Sequence, residues 1–126
     1  MFRFKRISSF TAVLAFALFA LLLIAPEFIF LLFGISGSES ASFISRRAAM
    51  LFLGISVLTW FGRDAGHSDL RQAVCIGLAG SMCGLAVLGS AEFARGYAGA
   101  GIWPAIITEM ALGVAYAKIW FEHRNA

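Results

Sequence analysis

The stretch Ile7-SSFTAVLAFALFALLLIA-Pro26 is 20 residues long and carries no charge. Coiled as an α-helix it spans roughly 30 Å, the thickness of a bilayer's hydrocarbon core. A basic segment, Met1-Phe-Arg-Phe-Lys-Arg6, precedes it, as in a secretory signal. The apolar core of such a signal is only about 7–15 residues, however. The Ala15-Phe16-Ala17 triplet has the form of a cleavage site but lies in the middle of the run. The stretch therefore reads as a retained transmembrane helix.

Three more stretches of this kind follow. With the first at residues 7–26, the spans are expected at about 43–62, 70–91 and 102–121, forming a single all-α four-helix transmembrane domain over residues 1–126. Apolar sequence also continues past Glu27 as Phe28 to Ile35. One straight helix over Ile7–Ile35 would be about 44 Å long, too long for a perpendicular crossing. Pro26 and Glu27 therefore predict a kink or stop, followed by a short helix at the outer interface. A Gly/Ser-rich loop is expected over residues 34–42. Another is expected from Glu92 to Gly101.

The bulk composition agrees. Hydrophobic residues make up 60% of the chain and charged ones 13%, against about 25% charged in ordinary soluble domains. A water-soluble fold would expose an aggregation-prone surface. The net charge of +3 does not point to nucleic acid, because no basic stripe or aromatic-basic module is present. With four spans, the side holding both termini carries Arg3, Lys5, Arg6, Arg63, Arg71, Lys118 and Arg124. The other carries Arg46, Arg47 and Arg95. The positive-inside rule then places both termini in the cytoplasm. Trp60 and Trp120 fall at the inner boundary, and Tyr97 and Trp103 at the outer. Compact size and short loops point to a bacterial inner membrane.

Glu109 is the most informative residue. It lies about seven residues into the fourth span, roughly 10 Å below the boundary. An acid at that depth is costly unless paired, hydrated or protonated. Ala105, Glu109, Gly113 and Ala117 are spaced by four and share a face. Small residues mark packing faces in membranes, so Glu109 is expected to point into the bundle. Its candidate partners are Arg47, favoured because Gly54 lies on its side of the helix, Arg46 and Glu27. Together they predict a polar cluster open to the periplasm, serving a small molecule, a lipid headgroup or a proton. The competing expectation is an ion pair that fixes helix register. Gly80 and Gly84 form a G-x-x-x-G, which predicts close helix packing, as do Ala105 and Gly113.

No metal site or cofactor is expected. Cys75 and Cys83 stand eight apart in an apolar run, and His67 and His123 lie in a loop and a tail, so none has metal-ligand spacing or can ligate a haem in the core. No nucleophile motif, phosphate loop or triad occurs. Ser8, Ser9 and Thr11 are expected to satisfy helix-end groups.

The stretch Ser45-RRAAMLFLGISVLTWFGRDA-Gly66, with Ala111-LGVAYAKIW-Phe121, resembles small uncharacterised bacterial four-helix inner-membrane proteins, some of them grouped with the DoxX-like proteins. The resemblance covers about two thirds of the chain and rests on a double Arg, a Leu-Gly and a Trp near an Arg. It implies a four-helix bundle and no particular activity. Small multidrug exporters share the length and helix number. They carry an essential acid in the first helix, and Ile7–Pro26 contains none.

The leading expectation is a non-catalytic membrane protein, either an accessory subunit or a bundle that binds a small ligand or lipid. The alternatives are a dimeric proton-coupled transporter using Glu109, and a membrane enzyme or redox component. The partners expected are the lipid bilayer and either a second membrane protein or a second copy.

Overall fold

Four helices long and apolar enough to cross a membrane dominate the chain. The computed structural model describes residues 2–124. Helix α1 covers Phe2–Ile24, α2 Pro26–Phe33, α3 Glu39–Phe61, α4 Asp69–Ala94 and α5 Trp103–His123, with a 3-10 turn at Ala100–Ile102. Among the described residues there is no strand.

The helix boundaries follow from local chemistry. Helix α1 stops before Pro26, whose ring cannot continue the α1 hydrogen-bond ladder but suits the first position of α2. The break falls at Ala25, which has φ −138° and ψ 63°. Helix α2 closes at Gly34, whose φ of +67° is a left-handed cap that favours glycine. Helix α3 starts earlier than the expected residue 43. The Ser38 hydroxyl accepts a hydrogen bond from Ala41 N at 3.0 Å and so caps the helix within the stretch read as loop. Ser68 caps α4 in the same way, accepting from Arg71 N at 3.1 Å. Helix α4 also runs past residue 91 to Ala94, so Glu92 lies on its last turn rather than in a loop.

The helices form two hairpins, α1 with α3 and α4 with α5, which meet through α1 and α5. Arg3 pairs with Glu122 at 3.1 Å, and Lys5 with Asp64 at 3.0 Å. These pairs bring both chain ends and the 62–68 loop to one end of the bundle, the terminal end. At the far end Gly99 N donates to the Phe33 carbonyl at 2.7 Å. A Cβ on Gly34 would stand 3.0 Å from the Gly99 backbone, so glycines allow these two segments to touch. The outward surface is apolar: Ile24, Leu31, Leu51, Phe61 and Leu70 are all largely exposed. That is the inverse of a soluble protein and suits contact with acyl chains.

The core is unevenly built. Toward the terminal end, Phe4 of α1, Cys75, Leu78 and Met82 of α4, and Leu112, Tyr116 and Ile119 of α5 pack as one cluster, with Ile55 of α3 against it. Toward the far end, Leu22, Ile29 and Ala49 form a second cluster with Leu18, Phe33 and Phe52, drawn from α1, α2 and α3 alone. The two hairpins thus share a packed core in one half and separate in the other.

Small residues do not all mark contacts. Gly113 sits where α5 approaches α4, and a Cβ there would lie 2.5 Å from Cys83 Sγ. Gly80 and Gly84, expected at a helix contact, are exposed, and a Cβ on either would meet nothing within 4 Å. The buried face of α4 runs through Arg71, Cys75, Leu78, Met82, Ala86 and Gly89. Helical spacing then turns Gly80 and Gly84 outward.

Candidate functional site: an apolar cavity with one carboxyl group

Where the hairpins separate, a cavity of about 240 Å³ opens between them. Thr11, Leu14, Ala15 and Leu18 of α1 line one side, with Ile29, Leu32 and Phe33 of α2 and Phe52 and Ile55 of α3. Met82 and Leu85 of α4 and Pro104, Ala105, Thr108, Glu109 and Leu112 of α5 complete it. Leu32, Leu85 and Pro104 are exposed, so the space communicates with the surroundings of the bundle.

Three polar side chains reach this wall, and two of them are occupied. Thr108 Oγ1 donates to the Pro104 carbonyl at 2.9 Å, the usual recourse of a hydroxyl in an apolar helix. Thr11 Oγ1 lies 2.8 Å from the Ile7 carbonyl and 2.8 Å from the Tyr116 hydroxyl. Glu109, half-buried, is the third. Among the described residues neither a hydrogen bond nor an ion pair engages its carboxyl. Carboxylates are rarely left in that state inside a membrane, where the charged form needs a partner.

The expected polar cluster is not assembled around Glu109. Arg47 is exposed and stands with its guanidinium 6.0 Å from the Phe43 ring. Arg46 and Glu27, also exposed, border a shallow surface groove with Glu39 and Ser42. None of the three lines the cavity. The reason lies in the register of α3. Its buried positions are Ala49, Ser56 and Thr59, which turns Arg47 to the opposite side. Gly54, taken as a packing mark on the side of Arg47, has open space above it. Ala105 does lie at the cavity, beside Glu109.

Sequence reasoning passed over two features. Thr11 and Tyr116 are buried partners across α1 and α5 rather than helix-end groups. Arg71, counted in the sequence among the basic residues on the side of the termini, is 3% exposed. Cys75, Leu78 and Met82 share its helix face at steps of three or four, but the run is apolar or small on every side, so its spacing does not single that face out.

Cys75 and Cys83 are free thiols. Among the described residues no group of three or more His, Cys, Asp or Glu side chains could hold a metal ion. No family model matches the chain, and no curated protein or solved structure matches it either.

Proposed function

We propose that the chain is a multi-pass membrane protein that binds a small amphiphile between its hairpins, with the apolar body in the cavity and the polar head at Glu109. The observation that carries this is the cavity wall itself, apolar apart from two threonine hydroxyls that are already hydrogen-bonded and one carboxyl group that no neighbour engages. An apolar pocket with a single oriented polar group is the usual form of a small-molecule site. At about 240 Å³ the space exceeds the roughly 150 Å³ cavity that takes up benzene. It suits a substituted ring or a length of hydrocarbon chain. A carboxylate accepts hydrogen bonds and a carboxylic acid also donates one, so hydroxyl, amine or carbonyl heads all fit. In this reading the protein sits in a bacterial inner membrane with both termini cytoplasmic, in keeping with the seven Lys and Arg at the terminal end, and α2 lies at the outer interface.

Mass spectrometry of the organic extract of purified protein tests the reading. An amphiphile is expected in stoichiometric amount from the natural chain and in reduced amount from Ala105→Phe, which fills the cavity. Equal and merely trace recovery from both proteins would refute it.

A second reading is proton-coupled transport through the same cavity. It draws on the unequal core, because hairpins packed together at one end, and held at the other only where α2 meets residues 99–101, can rock about the packed end. It requires substrate-driven proton flux in liposomes that Glu109→Gln abolishes.

A further inference from the structure

Arg71 is the one buried cation among the described residues. The other arginines near the terminal end are partly or fully exposed, as expected of side chains that reach for water or headgroups. Arg71 does not reach out. Its guanidinium lies 4.9 Å from the Phe4 ring centre, and Nη1 donates to the Ala65 carbonyl at 3.3 Å. Its Nε is buried with no hydrogen-bond partner. Neither of the two ion pairs among the described residues includes it. A guanidinium keeps its charge in proteins, and a buried charge without a counter-ion is strongly unfavourable.

A crevice of about 50 Å³ adjoins it, between the first turns of α1 and α4 and the last turns of α5. Arg3, Phe4, Arg71, Ile119, Glu122 and His123 line it. The mouth is formed by Arg3 and Glu122, whose side chains are 50% and 43% exposed and are paired with each other. His123 Nδ1 donates to the Ile119 carbonyl at 2.9 Å, and its ring stacks on that of His67, 5.6 Å between ring centres. This end of the molecule also holds seven of the ten Lys and Arg but only three of the seven carboxylates, Asp64, Asp69 and Glu122.

We infer that this crevice binds a phosphate group, with Arg71 as its principal ligand and Arg3 and His123 at the entrance. The fork of a guanidinium matches phosphate oxygens in geometry as well as charge. The terminal end lies at the level where a spanning bundle meets headgroups, so the phosphate can belong to an anionic phospholipid or be free. The site is separate from the Glu109 cavity and does not depend on what that cavity holds.

The test uses the full chain in phosphatidylcholine nanodiscs. One arm adds phosphatidylglycerol to the bilayer, and the other adds inorganic phosphate to the buffer. The unfolding midpoint is followed by tryptophan fluorescence, and bound lipid is counted by native mass spectrometry. One of the two anions is expected to raise the midpoint of the natural chain, and that arm identifies the source. Arg71→Gln is expected to bind about tenfold more weakly, the loss of one charge-assisted contact. Arg124→Gln, an exposed residue stacked on Phe121, is expected to bind unchanged. The inference is overturned if neither anion moves the midpoint, or if both variants lose binding equally, which would mean only a diffuse basic surface. Should Arg71→Gln fail to fold, the half-exposed Arg3→Gln decides: weaker binding supports the site and unchanged binding removes it.

Discussion

The Tyr116 hydroxyl lies 2.8 Å from Thr11 Oγ1, with Tyr116 fully buried and Thr11 nearly so. This contact joins α5 to α1, the two helices through which the hairpins meet. It also stands at the boundary between the packed half of the core and the cavity, whose wall includes Thr11. Because Thr11 retains the Ile7 carbonyl as a second partner, removing the tyrosine hydroxyl leaves no orphaned donor. Tyr116→Phe is therefore expected to cost only about 0.5–1.5 kcal/mol. Reversible denaturant unfolding in mixed micelles measures it. A loss far above that range would mean that the pair does more than hold the hairpins together.

Glu109 and Ala105 separate occupancy of the cavity from its polar recognition. Glu109→Gln keeps the shape and hydrogen-bonding capacity but removes the possibility of charge. For an uncharged head the retained amphiphile is expected to change less than about tenfold, one hydrogen bond's worth. For a cationic head it is expected to vanish. Ala105→Phe reduces uptake of either. Quantified lipid extracts of the two variants check this, and full retention by Ala105→Phe contradicts it.

Glycines that look equivalent in the sequence are expected to behave in opposite ways. Gly113→Ala forces a methyl against Cys83 Sγ and the α4 backbone, an overpacking worth about 1–3 kcal/mol. Gly84→Ala meets open space and gains helix propensity of up to about 1 kcal/mol. Paired unfolding curves distinguish them. Equal effects would contradict the helix register described for α4 and α5.

Gly34→Ala is expected to loosen the far end. Its φ of +67° is a left-handed conformation that costs a side chain about 1–2 kcal/mol. The added Cβ also crowds the Gly99 backbone at 3.0 Å. Faster hydrogen exchange at Gly99 N, which donates to Phe33, is the readout. Unchanged protection there would show that the clasp tolerates the strain.

Much of the architecture is legible in the sequence. Uncharged runs of span length, the Pro26 break and the basic bias toward one end each follow from local physics: the thickness of hydrocarbon, the missing proline N–H and the cost of moving charge across lipid. The start of α4 lies within a residue of the expected one, whereas the start of α3 at the Ser38 cap falls inside the Gly/Ser-rich stretch expected as loop. The place of Glu109 within α5, rather than at its end, also follows from counting residues along the span.

What surrounds Glu109 could not be read in the same way. Small residues mark a helix contact at Gly113 but not at Gly54, Gly80 or Gly84. The sequence by itself determined which segments are helices, because hydrogen bonding in a helix is local and the apolar runs are continuous. Only the tertiary structure decided which face of each helix turns inward. That depends on the rotation of one helix against another, and in a chain apolar on all sides no hydrophobic stripe specifies it. Arg71 turned in and Arg47 turned out for that reason, and the cavity lies where the two hairpins do not share a core.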